Sequence, residues 1–339
     1  VGSKGVKFSI IEIGKNAKTS GAFNPLKDSS VNTDFISFTN TTFQATLDGM
    51  TGLYETAVNT YGVPAKRIFT VVSSGVKIQA EKENKTDWIQ HLIDSFKVRI
   101  GDPDRKVDVI DVVGEARLSH LGIVPESKRF TTFLIDIGSG NTKGGFFPYG
   151  NINDFKLFEL TWGTKSTANA TEKACGDDNT LDNYDRQLSR VLKGAENNEI
   201  IYAVNTSGAY PLSDNVAFSG GISWALATLM YPEKTDETVI PVTYDEVVKF
   251  SQKLYKEYGS LSDAAVVKKI TDKSVDKALV AKNVKTVNKV FDQKSMMSGT
   301  GLLLKIMRQF ASVYESKQFY LVKNGQVGWI SAYVDENID

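Results

Sequence analysis

Apolar residues in this chain occur either in short unbroken runs or in stripes at helical spacing. The most informative run, Phe133-Leu134-Ile135, passes through Asp136-Ile137 into Gly138-Ser139-Gly140-Asn141-Thr142-Lys143 and returns to Phe146-Phe147. An apolar run broken by Gly and Asn predicts strand, turn, strand. Near the start, residues 6–23 give an apolar strand through Glu12, a turn at Gly14-Lys15-Asn16 and a more polar return; residues 24–34 then read as a polar loop. Further strands are predicted at 35–38, 67–72, 107–113, 155–160 and 216–218. A last pair, 319–322 and 327–334, is predicted to turn at Lys323-Asn324-Gly325, because Asn-Gly is a strong hairpin signal. Helical stripes cover 43–61, the Trp88-Leu92-Ile93-Phe96 segment, a stretch opening at Gly114-Glu115, and then 181–197, 222–230, 244–257, 261–281 and 295–313. Strands alternating with helices predict an α/β protein.

Composition narrows the picture. At 339 residues the chain predicts two domains, and 41% apolar with 10% aromatic residues is enough for two cores. The 40 basic and 40 acidic residues cancel, so neither nucleic acid nor a membrane is an expected partner. The lone Cys175 excludes intrachain disulfides and Cys-rich zinc sites, and His91 with His120 are too few for a His-rich one. A bound metal is then expected to be a hard cation held by oxygen. No run reaches transmembrane length. Gly-x-x-x-x-Gly-Lys-Ser/Thr, a strand-linked Gly-x-Gly-x-x-Gly and Gly-x-Ser-x-Gly are all absent, which removes P-loop, Rossmann and serine-hydrolase readings.

What remains is a set of turns at strand ends. Backbone amides of Gly138 to Thr142 suit a phosphate, with Asp136 holding a hydrated divalent cation beside it. A plain hairpin with Gly for positive φ explains the same residues equally well. Ile11-Glu12-Ile13-Gly14 repeats Ile135-Asp136-Ile137-Gly138, so a second such turn at Gly14-Lys15-Asn16 is expected. Ser73-Ser74-Gly75 with Lys77 ends a further strand. Ser219-Gly220-Gly221 opens an apolar helix; there the glycines either expose amides to an anion or simply permit close packing. Glu115 either orients water or complements a helix dipole, and Lys77 and Arg117 in their ordinary roles are surface charges.

Several of these stretches resemble one family. IDIGSGNTK (135–143) resembles the phosphate turn Asp-Ile-Gly-Gly-Gly-Ser-Thr-Glu of the exopolyphosphatase and guanosine pentaphosphate phosphatase (Ppx/GppA) family, and IDVVGEARLSHLGI (110–123) its Glu-Glu-Ala-Arg-Leu segment. IIEIGKNA (10–17), FTVVSSGVKIQAE (69–81), AFSGGI (217–222) and the tail from Ser298 to Ile330 are similar to its other blocks, in the same order. The resemblance implies two actin-like (ribonuclease H-like) α/β domains, each a five-stranded mixed sheet with flanking helices, around an interdomain cleft. The first would span 1–125 plus a returning segment at about 316–339, the second 126–315. It implies that Glu115 is the general base, that Mg²⁺ sits at Asp136 and Glu12, and that phosphate is bound by Gly138, Ser139, Gly140, Asn141, Thr142, Lys143, Gly14, Lys15, Asn16, Lys77, Ser219, Gly220 and Gly221.

The implied activity is release of terminal phosphate from inorganic polyphosphate, or from a phosphorylated guanosine nucleotide, with a homodimer as the candidate assembly. A non-catalytic polyphosphate- or nucleotide-binding homologue is the alternative class, and an actin-like ATP-dependent polymer a third that the Glu-Ala-Arg-Leu block argues against. The chain opens on Val1 rather than Met, so an earlier piece is expected; the family's usual cytoplasm and export both stand. Four positions depart from the pattern: Glu12 for Asp, Lys15 for Ser, Gly114 for the first acid of the pair, and Lys143 for the acid that closes the phosphate turn. Fewer carboxylates weaken magnesium binding; the two added lysines either compensate by binding phosphate directly or mark an active site that has drifted.

Overall fold

The computed structural model describes residues 1–2, 5–13, 23–311, 316–323 and 325–338. The chain divides into two units, Val1–Leu118 with Trp329–Asp339, and Ser119–Gly328.

In the smaller unit, β1 (Gly5–Ile13) pairs antiparallel with β2 (Phe23–Asn32). Helix α1 (Asn40–Glu55) starts where Thr39 and Thr42 exchange side-chain and backbone hydrogen bonds, satisfying two first-turn donors. Strand β3 (Thr70–Val72), α2 (Ser74–Lys82), α3 (Thr86–Ile100) and β4 (Val107–Val109) follow, with β3 and β4 parallel. Leu47 and Met50 of α1 meet Leu92, Ile93 and Phe96 of α3 around Phe35 and Val72. Trp88 stands edge-on to both Phe38 and Phe43. Helix α4 (Val112–Ile123) begins in this unit. The end of the chain returns to it, where the Tyr333 hydroxyl donates to the Asp108 carboxylate and Arg117 pairs with Glu336 at 3.0 Å.

The larger unit is built on one six-stranded mixed sheet. Its strands are β5 (Thr132–Ile137), β6 (Thr142–Phe146), β7 (Lys156–Leu160), β8 (Asn215–Ser219), β9 (Val239–Val242) and β10 (Gln318–Val322), in the spatial order β7-β6-β5-β8-β10-β9. Strands β5, β8 and β10 run parallel. As period-2 alternation requires, Phe133, Ile135, Ile137, Val216, Phe218, Phe319 and Leu321 enter one large core. Leu134, Ala217 and Val322 face the other way, onto Ile123 and Val124. The helices are α5 (Thr164–Cys175), α6 (Leu181–Ala195), α7 (Ile201–Ser207), α8 (Ala209–Leu212), α9 (Gly221–Met230), α10 (Tyr244–Lys256), α11 (Asp263–Lys269), α12 (Lys277–Val290) and α13 (Gln293–Phe310); α14 (Gly325–Asn337) starts here and belongs to the smaller unit from Trp329 on. Among the described residues, no helix is long and apolar enough to cross a membrane.

Several sequence expectations are corrected. The two five-stranded sheets are not found: the larger unit has six strands, and the described part of the smaller has two separate strand pairs. The extra strand, β9, contains Pro241 opposite Tyr320, and it lies at a sheet edge where a missing N–H costs no ladder bond. The polar 24–34 stretch is largely strand β2. Residues 35–37 form a 3-10 turn, flanked by Asp34 and Phe38 in the left-handed region. The helix expected over 261–281 is two helices. Asp272 turns the chain by accepting from Ser274, and Asp276 restarts it by accepting from the amides of Ala278 and Leu279. The Asn-Gly hairpin does not form. Both edges of β10 are already occupied, by β8 and β9, so the segment after Gly325 has no strand to join and becomes α14.

His120, fully buried on α4, donates from Nε2 to the Thr132 carbonyl at 2.9 Å, edge-on to Phe147 and Phe155. Burial pulls its imidazole from 6.5 down to about 4. Above pH 6.5 the ring is neutral folded or unfolded, and its titration contributes nothing. Between 6.5 and 4 only the unfolded chain takes up the proton, so stability falls as pH falls. Unfolding by urea at pH 7 and pH 4.5 is expected to show His120→Gln losing roughly 2–3 kcal/mol less than the wild type across that interval. Equal losses would reject the assignment.

Candidate phosphate site

The turn between β5 and β6 is held from below by a helix. The Gly138 amide donates to the Asn141 carbonyl at 3.0 Å, which closes the turn. The Gly138 carbonyl accepts from the Thr164 amide (2.9 Å), and the Ser139 carbonyl from the amides of Lys165 (2.7 Å) and Ser166 (3.1 Å). The turn therefore caps α5, whose first amides are consumed by it. In a planar trans peptide the N–H points opposite to the preceding C=O. With the carbonyls of Gly138 and Ser139 aimed at α5, the amides of Ser139 and Gly140 must face away from it. Among the described residues those two amides meet no acceptor. Both residues are exposed. Two adjacent amides facing outward from a pinned turn form a concavity suited to an oxyanion.

Gly163 makes this packing possible. Its backbone is extended (φ −137°, ψ −178°), so any residue could adopt the conformation, but a Cβ there would lie 2.6 Å from the Asn141 nitrogen and 2.7 Å from Gly138 O and Gly140 C. Gly163→Ala is expected to cost about 1–3 kcal/mol by forcing the turn off α5. Gly140→Ala, in the same turn with nothing within 4 Å, is expected to cost under about 0.5 kcal/mol. Thermal unfolding of the pair checks this, and similar losses would reject the steric account.

Beside the turn, β8 leads into α9 through Ser219-Gly220-Gly221. Gly220 has φ 92°, and its missing side chain lets the chain pass directly against the Ile137 carbonyl. Helix α9 begins with no side-chain cap, leaving first-turn donors of the kind an anion satisfies. The close-packing role of the glycines and the anion role are therefore compatible.

Sheet register lines up a charged row here. Asp136 pairs with Ser219 of β8 on one side and Lys143 of β6 on the other, and Lys143 pairs in turn with Glu159 of β7. Directly paired residues project to the same face, so Ser219, Asp136, Lys143 and Glu159 share the face opposite the large core. The Ser219 hydroxyl donates to Asp136 Oδ2 at 2.8 Å and so positions that carboxylate.

The other expected residues belong to the smaller unit. Glu115, buried in the first turn of α4, accepts from the Ser74 amide at 2.8 Å, so its carboxylate sits on the N-terminus of α2. Lys77, one turn along α2, pairs with Glu81 at 3.1 Å on the surface. Glu12 lies exposed on β1, opposite Asn24. Gly14, Lys15 and Asn16 lie outside the described residues. Sequence reasoning missed Gly163 and α5. A Gly ahead of a Thr-Lys-Ser start was the available signal, but the helix is too poor in apolar residues to stand out.

Magnesium needs oxygen donors gathered around one point. Among the described residues no three His, Cys, Asp or Glu side chains gather. At the turn Asp136 has a hydroxyl on one oxygen and a lysine as its cross-strand neighbour. Mg²⁺ in a phosphate site can be held by a single carboxylate together with substrate oxygens and water; here a cation would compete with the neighbouring Lys143 for Asp136.

No family model matches the chain, and no curated protein matches it in sequence. Solved structures do. The Aquifex aeolicus Ppx/GppA phosphatase (type II variant) matches with TM-score 0.64 at 16% identity, over 100% of this chain and 97% of that one. An exopolyphosphatase from Cytophaga hutchinsonii matches with TM-score 0.53 at 14% identity, over 99% and 96%. An exopolyphosphatase-like protein matches with TM-score 0.56 at 12% identity, over 97% and 95%. The chain therefore has, along its whole length, the fold of the Ppx/GppA phosphatase structures.

Proposed function

We propose that the protein is a phosphohydrolase that releases terminal phosphate from inorganic polyphosphate. The observation that carries the reading is the pair of outward amides at Ser139 and Gly140, fixed by α5 and set beside the uncapped start of α9. Phosphoryl transfer asks a protein mainly for positioning and neutralisation of charge. The turn amides and the α9 N-terminus would hold the terminal phosphoryl oxygens. Water would attack that phosphorus in line, the bridging P–O bond would break, and the shortened chain would leave with the bridging oxygen. Glu115, the acid the resemblance makes the general base, would take the proton from water. Guanosine pentaphosphate is the other substrate of the same chemistry.

One observation favours a second reading, a polyphosphate-binding protein without turnover: the Glu115 carboxylate already holds the Ser74 amide. Incubation with long-chain polyphosphate, with and without Mg²⁺, separates the two. Release of free phosphate supports the hydrolase. Binding with no release under either condition supports the second reading, and neither binding nor release rejects both.

A further inference from the structure

The geometry points to a phosphate site that is completed by a lysine rather than by a metal ion: the Lys143 ammonium stands where a divalent cation would neutralise the bound phosphate. The inference rests on the phosphate reading of the turn. Its basis is the register row. The pair Ile137↔Thr142 closes the hairpin, so the next pair inward, Asp136↔Lys143, puts an acidic and a basic residue side by side on one face at the mouth of the turn. An opposite charge next to the only acid of this hairpin competes with any cation for that acid. Lys143 carries its charge on a flexible four-carbon stem with three donors, long enough to pass the end of its own strand toward the amides of Ser139 and Gly140.

The row also keeps the added charge in balance. Asp136 and Glu159 flank Lys143 through its two strand pairings, and the Ser219 hydroxyl holds Asp136. The lysine is thus inserted between two acids, which gives it an ordinary structural role to be tested against. If it only balances the row, removing it disturbs folding and leaves anion binding unchanged. If it completes the site, removing it takes away a charge-assisted contact to phosphate and frees Asp136 for a cation.

The test is calorimetric binding of inorganic tripolyphosphate to the full chain, in EDTA and in millimolar Mg²⁺, with thermal unfolding as the folding control. Wild type is expected to bind equally, within about twofold, in both conditions. Lys143→Gln is expected to lose roughly ten- to hundredfold in EDTA and to regain part of that with Mg²⁺, while Lys143→Arg keeps metal-free binding. Wild-type binding that needs Mg²⁺ would overturn the inference and leave the phosphate site standing. Undiminished binding by Lys143→Gln in EDTA would overturn it in favour of the structural role. Absence of wild-type binding in both conditions would overturn the phosphate site itself.

Discussion

Glu115→Gln is expected to lower phosphate release from polyphosphate by roughly 10²–10⁴-fold, the usual contribution of a general base, which is about 3–5 kcal/mol on the barrier. The substitution suits the local structure. Gln keeps a carbonyl oxygen that can still accept from the Ser74 amide, so the contact between α4 and the N-terminus of α2 survives. It removes the proton-accepting charge and, with it, the attraction of that charge for the buried Val1 ammonium. Tripolyphosphate affinity is expected to stay within a few-fold of wild type, and the loss to appear in kcat rather than KM. Glu115→Ala also removes this acceptor of the buried Ser74 amide, and should lower stability by about 1–3 kcal/mol as well. Release by Glu115→Gln at the wild-type rate would reject Glu115 as the base and leave it as the residue that holds the start of α2.

How far the site could be read from sequence depended on whether its partners were local. The β5–turn–β6 hairpin was legible because a buried run, a Gly/Asn turn and a second run follow without interruption. Once that turn is placed, counting outward puts Lys143 opposite Asp136, so half the charged row was available in principle. The other half, Ser219 and Glu159, depends on which strands become neighbours, and no local pattern records that. Helix α5, sequence TKSTANATEKAC, buries Thr164, Thr167, Ala168 and Thr171 rather than large apolar side chains, so it shows no stripe. Strand β9 is hidden by Pro241, a residue that argues against a strand everywhere except at an edge. The segment 327–334 failed in the opposite direction: its Asn-Gly signal is real, but a hairpin needs a free strand edge, and β10 has none. The glycines at 163 and 220 were visible as letters; their function lies in the backbone atoms they approach.

Gly220→Ala is expected to be the most destabilising single substitution in the larger unit's site. Two independent terms act at this position. The backbone sits at φ 92°, ψ 178°, a region essentially reserved for Gly, where an L side chain costs about 1–3 kcal/mol. A Cβ would also lie 2.3 Å from the Ile137 carbonyl oxygen and 2.9 Å from its carbon. These are backbone atoms of the central strand β5, paired on both sides, so no side chain can rotate away. Forced overpacking adds about another 1–3 kcal/mol. Together they amount to roughly 2–6 kcal/mol, on the order of 5–20 °C in Tm for a unit of this size. Gly221→Ala supplies the contrast: its φ is helical, and the nearest atom to a Cβ is a ring carbon of Phe291 at 3.2 Å, which can shift by a few tenths of an ångström. It is expected to cost under about 1 kcal/mol. Thermal unfolding of the two variants decides the matter. Near-equal Tm values would mean that neither the φ of Gly220 nor its approach to Ile137 governs the packing of β8 onto β5. A large gap, with tripolyphosphate binding lost only in Gly220→Ala, would tie the same backbone approach to the anion site at the start of α9.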